Sequence, residues 1–163
     1  MVAVLLLAWS LTEDVSTRVR TTDRQLQVLM ATANEHSPTF RSLIKKLNDS
    51  DVIVYLEAKV IRDWVGGYLV GRVIAKGEYR YLRIIVNPRG TDERLISVIA
   101  HELQHAIEIA AAPTVGRSQT IEEWLGANAF IAGCHLGCYE TIEAINVQET
   151  VRRELRSSRA TKD

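Results

Sequence analysis

Residues 92–112 contain neither glycine nor proline, and Pro113 ends the run. Within it, Leu95, Ile96, Ile99, Leu103, Ile107 and Ile109 recur at helical spacing. Thr91 precedes it, and Asp92 and Glu93 fall in its first turn, where a cap and negative charge suit the helix dipole. The spacing predicts a long amphipathic helix that Pro113 stops. Inside that helix stands His101-Glu102-Leu103-Gln104-His105. One turn separates His101 from His105 on the same face, so two imidazoles can grip one zinc ion from one side. Glu102 sits about 100° around the helix, beside such a metal rather than on it. A general base belongs there, positioned to take a proton from a water that the metal acidifies. The pentapeptide therefore points to a metal, a nucleophile and a base together.

The pattern alone arises by chance, so its flanks matter. Leu103 and Gln104 inside it, and Ala106 and Ile107 after it, are uncharged. A charged side chain there would crowd a divalent cation or face the core unpaired. The competing reading is two core or surface histidines on an ordinary helix. Two of only four histidines fall in the pattern, which favours zinc.

A length of 163 residues suggests one domain, and 47% hydrophobic with 25% charged residues suits a soluble globular chain. Lys+Arg and Asp+Glu balance at 20 each, so no basic field for nucleic acid is expected. The two cysteines, Cys134 and Cys138, exclude a disulfide framework. With His135 between them they could bind metal, but two small buried residues are the expectation. Residues 1–9 are apolar yet too short for a membrane-spanning helix, so no integral span is expected. They resemble the apolar region of a signal peptide without its basic lead, as a truncated start would give. That reading predicts export, to the periplasm for example. A short element packed on the core, in a cytoplasmic protein, is the other reading.

Residues 1–22 thus read as an apolar segment and a polar lead-in, 23–157 as one domain, and 158–163 as a polar tail. Two helices are predicted first, one from Asp23 to about Asn34 and one opened by Ser37-Pro38. Residues 51–56 are β-branched and aromatic and read as a strand. Trp64-Val65-Gly66-Gly67 carries turn chemistry, and residues 68–75 and 79–86 read as strands joined by Lys76-Gly77-Glu78. After the metal helix, residues 120–132 and 139–157 read as two further helices, interrupted at 133–137. The expected fold is a small α+β domain with a three-stranded, mostly antiparallel sheet packed on the metal helix. An extended peptide could pair with a free strand edge over the metal, with residues 79–86 as the candidate strand.

A catalytic zinc usually takes three protein ligands and a water. No third histidine follows at the spacing H-E-x-x-H-x-x-G-x-x-H, since Ala111 stands at its last position. A carboxylate is expected instead, and several compete. Glu140 is predicted to open the last helix, followed by residues that face inward. Glu122 and Glu123 lie at a plausible interval but could be a solvated pair. Glu108 shares the face of His101 one turn further on, where it better orients a ligand or binds a substrate amine.

The metal helix resembles that of the zincin superfamily, specifically the gluzincin-type zinc metallopeptidases. Asn48-Asp49-Ser50-Asp51-Val52-Ile53-Val54-Tyr55, Arg83-Ile84-Ile85-Val86-Asn87, the run from His101 to Ala110 and Tyr139-Glu140-Thr141 are similar to small uncharacterised bacterial proteins with a single zincin-like domain. The likeness covers about residues 20–157. It implies a short zincin domain with a glutamate ligand from a downstream helix, which favours Glu140. The chain lacks the Asn-Glu-x-x-Ser-Asp arrangement of thermolysin-like enzymes and the third histidine of metzincins.

The expected activity is zinc-dependent hydrolysis of a peptide or protein substrate. His101, His105 and Glu140 would hold Zn2+, and Glu102 would act as general base. His135 and Tyr139 are candidates for oxyanion stabilisation, although a tyrosine is more often packed. The alternatives are a non-catalytic zinc-binding or scaffold domain and a metal-free helical protein.

Overall fold

The computed structural model describes residues 17–61, 65–131 and 139–160. The apolar segment of residues 1–9, Trp64, the group Cys134, His135 and Cys138, and residues 161–163 lie outside them. Among the described residues the chain is α+β, with five helices, a mixed five-stranded sheet and a separate two-stranded pairing.

Val19–Arg20 forms β1 where the sequence suggested only a polar lead-in, because Val19 is buried beside Val54. Two helices follow, α1 (Arg24–His36) and α2 (Pro38–Asn48). Asp23 caps the first by accepting from the Leu26 amide, and Ser37 caps the second by accepting from Phe40. Then come β2 (Val52–Ala58), β3 (Gly67–Leu69), β4 (Ile74–Lys76) and β5 (Tyr79–Val86). The hairpin expected around Lys76-Gly77-Glu78 is present: Lys76 pairs with Tyr79, and Gly77 takes φ +61 at the first turn position.

The sheet is not three-stranded and mostly antiparallel, as expected from the sequence. Its order is β1-β2-β5-β3, with β4 also pairing β5. The β1–β2 and β2–β5 pairs are parallel, and β3 and β4 run antiparallel to β5. The sheet differs from that expectation because the two most apolar strands, β2 and β5, take adjacent interior positions and pair parallel. The glycine-bearing segment between them goes to the edge and splits into β3 and β4. Strand β5 is therefore paired on both sides and has no free edge for a peptide, contrary to the expectation for residues 79–86.

The metal-helix candidate is α3 (Asp92–Ala110), capped by Thr91 with Asp92 and Glu93 in its first turn. Its residues Leu95, Ile96, Ile99, Leu103 and Ile109 are buried, as the spacing predicted, while Ile107 packs partly exposed. Val52, Val54 and Leu56 of β2 and Leu82, Ile84 and Val86 of β5 join them in one core with α1, α2 and the last helix. Next is α4 (Ile121–Asn128), shorter than predicted because Phe130–Ile131 forms β6. That strand pairs antiparallel with β7 (Tyr139–Glu140). The last helix, α5, spans Ile142–Ala160. It starts after Glu140, because the Thr141 hydroxyl accepts from the Ala144 amide and caps it. No helix of the described residues is long and apolar enough to cross a membrane.

Candidate metal centre

His101, Glu102 and His105 lie within α3, all nearly buried. The one-turn spacing brings the histidine Nε2 atoms within 3.2 Å of each other. Glu140 completes a triangle from β7 rather than from a helix. Its Oε2 lies 2.8 Å from His101 Nε2 and 3.8 Å from His105 Nε2. These three residues form the one group of metal-ligating side chains found among the described residues.

The triangle fits a small divalent cation. Tetrahedral zinc with ligand distances of about 2.0–2.2 Å sets neighbouring ligand atoms roughly 3.3–3.6 Å apart. The observed separations of 2.8, 3.2 and 3.8 Å bracket that spacing. Glu140 Oε2 is also buried without a hydrogen-bond partner, despite its short approach to His101. At 2.8 Å from one imidazole nitrogen and 3.8 Å from the other, this oxygen borders the space the two imidazoles share. His101 Nδ1 is likewise buried without a hydrogen-bond partner.

Carboxylates crowd the histidine pair. Burial and the nearby Glu140 push Glu102 above the ordinary carboxylate range, against the opposing pull of His101 and His105. Burial also disfavours charge on Glu140, but its contacts with His101 and His105 outweigh this and hold it down to about 2. For His105, burial disfavours the charged ring, yet Glu108 and Glu140 raise it to about 10. A group that holds carboxylates low and an imidazole high is a group that favours positive charge among its ligands.

The other carboxylates predicted from sequence are placed differently. Glu108 Oε2 lies 2.9 Å from His105 Nδ1, and its Oε1 accepts from Thr141 Oγ1 at 2.8 Å and Gln104 Nε2 at 3.2 Å. Burial raises Glu108, but these bonds from His105, Thr141 and Gln104 hold it below its usual range. With both oxygens engaged, it neither joins the triangle nor offers itself to a substrate amine. Glu123 closes a capping box with Thr120 at the start of α4. Glu122 is exposed and lies against Gly71. Neither belongs to the group. Tyr139 is partly buried in β7, and His135 lies outside the described residues.

Three features beside the triangle went unread in the sequence. Gly66 and Gly67 are more than turn residues. A Cβ on Gly67 would stand 2.9 Å from both the Ile85 carbonyl oxygen and Val98 Cγ1, and one on Gly66 would stand 2.8 Å from Val98 Cγ2. Their bareness lets β3 lie close on α3, which brings the Leu69 amide near enough to Glu102 to favour its carboxylate form. Thr141, a capping residue just before an amphipathic run, was readable as the start of α5. Arg80 is the third. Alternation along β5 puts it on the core face with Leu82, Ile84 and Val86, and a charge there demands partners.

No protein-family model matches the chain, and searches of the curated proteins and of the solved structures give no match.

Proposed function

We propose that this chain is a zinc-dependent peptidase with a zincin-like domain of the gluzincin type. The observation that carries the reading is the convergence of His101 Nε2, His105 Nε2 and Glu140 Oε2 to within 3.8 Å of one another, with buried Glu102 on the same helix. These three residues would hold the zinc, which when bound acidifies a water and polarises a substrate carbonyl. Glu102 is the base. Its raised affinity for protons suits acceptance from the attacking water and delivery to the leaving amine. The nearby Leu69 amide favours the carboxylate form of Glu102. Strand β3 supplies the substrate edge, since its inner side pairs with β5 and it lies beside Glu102. An extended peptide paired along β3 would be held across the site by main-chain bonds.

Elemental analysis of the purified protein, followed by a peptide-library digest, tests the reading. One zinc per chain is expected, lost in His105→Ala and weakened in Glu140→Gln. Glu102→Gln should keep the zinc and lose hydrolysis. An intact protein that takes up no zinc after reconstitution would sink the enzyme reading.

A further inference from the structure

We infer that Glu108 is a positioning residue that assembles the two halves of the metal site, with Thr141 as its counterpart. The inference rests on the zinc reading above. The metal helix supplies His101 and His105, but Glu140 comes from β7, a strand of only two residues. Something must hold that strand against α3. Helix α5 packs on α3 further along, and beside the site itself the hydrogen-bonded link from the histidine pair to the residue after Glu140 runs through one carboxylate. Glu108 Oε2 faces His105 Nδ1 at 2.9 Å, so in the neutral ring that binds a metal the proton would sit on Nδ1 and leave Nε2 bare toward the cation. Glu108 Oε1 accepts from Thr141 Oγ1 at 2.8 Å. Thr141 directly follows Glu140, and the same hydroxyl accepts from Ala144 N at 3.2 Å. One bond thus fixes the start of α5 and the backbone next to Glu140 relative to the helix bearing the histidines. Gln104 Nε2, also on α3, steadies Oε1 at 3.2 Å.

The sequence spacing makes this possible. Glu108 is three residues beyond His105 and four beyond Gln104, so it neighbours both of them on the helix surface.

The test uses the full chain and measures zinc affinity by competition with a chromophoric chelator, the visible absorption of the Co2+-loaded protein, and metal-free melting. Glu108→Gln keeps an oxygen for Thr141 but offers an amide to His105, which favours the wrong tautomer. Thr141→Val removes the hydroxyl. Each should weaken zinc binding by about 10–100-fold and shift the cobalt spectrum. Thr141→Ser should restore both. The double variant should lose less than the product of the two single losses, because the shared bond is already broken. Zinc affinity and cobalt spectrum unchanged in Glu108→Gln and Thr141→Val, while His105→Ala abolishes binding, would overturn the inference and leave the zinc reading standing. Should Thr141→Val fail to fold, Glu108→Gln decides alone: an affinity equal to that of the unaltered chain overturns the inference. A wild-type chain that binds no zinc removes both.

Discussion

Arg80 and Asp51 meet in a two-point ion pair, Nε to Oδ2 at 2.8 Å and Nη2 to Oδ1 at 2.7 Å. The same guanidinium donates to the carbonyls of Ile109, Ala110, Ala112 and Val115. These are the last residues of α3 and the loop beyond it. The buried arginine thus adds donors to the carbonyls at this helix end, at the pole where the dipole favours a cation. It fixes the C-terminal end of the helix that carries His101 and His105 against strand β5.

Arg80→Met should therefore be strongly destabilising. It removes every one of those donors and leaves Asp51 without its ion pair. Asp51 is a third exposed, so the ion pair alone contributes less than the about 3–5 kcal/mol of a fully buried one, and the carbonyls left without the guanidinium bring the expected cost to about 3 kcal/mol. Urea unfolding followed by circular dichroism reads this directly. A loss below about 1 kcal/mol, the value of an exposed pair, would show that the clamp does not hold the helix.

The pair also sets a pH dependence of stability. The hydrogen bonds and charge of Arg80 hold Asp51 below its ordinary value of 3.8, against a smaller opposing effect of burial. Above that value Asp51 is ionised in both folded and unfolded chains, and its contribution to stability is complete. As pH falls below it, the unfolded chain binds the proton first, so the contribution shrinks and is gone below the folded value. Unfolding curves from pH 6 down to acid should show wild type losing more stability than Asp51→Asn, which has no such group to titrate. Parallel curves would mean that Asp51 titrates alike in both states.

Much of this architecture was legible in the sequence because local rules and tertiary packing agree. Thr91 and Ser37 cap the helices they were expected to cap, Asp23 caps the helix that was expected to begin with it, and the apolar stripe of α3 is buried. Glu140 converges with the two histidines as its place in the chain suggested, but from a strand. The error there has a local cause. Thr141 caps α5 and so forces the helix to begin after it, leaving Tyr139 and Glu140 free to pair with Phe130 and Ile131. Sheet order was not legible, because strand adjacency depends on which strands bury best and not on their sequence order. Nor was the closeness of β3 to α3, which depends on the missing Cβ of Gly67 as seen from Val98 and Ile85.

That closeness yields a separable prediction. In Gly67→Ala the new methyl would stand 2.9 Å from the Ile85 carbonyl oxygen and 3.5 Å from Glu102 Cγ. Backbone cannot give way like a flexible side chain, so β3 must lift from the helix. Overpacking of this kind costs about 1–3 kcal/mol. Lifting β3 also draws the Leu69 amide away from Glu102, whereas the three residues of the triangle are untouched. The variant should melt earlier and hydrolyse peptide more slowly, yet bind zinc with wild-type affinity. A variant with full activity would show that the Leu69 contact does not position the base.

Metal loading should appear as thermal stability, independent of any substrate. A ligand that binds only the folded chain at about 100 times its dissociation constant stabilises by about 2.7 kcal/mol. For a chain of this size, each kcal/mol raises the melting temperature by about 2–4 °C, so zinc should add roughly 5–10 °C. Excess chelator should reverse the gain, and His101→Ala should abolish it. Glu102→Gln should retain it, because Glu102 lies outside the ligand triangle. The Glu102→Gln result separates the two roles assigned on α3: a lost thermal gain would make Glu102 part of the metal's grip, whereas a retained gain with lost hydrolysis leaves it as the base.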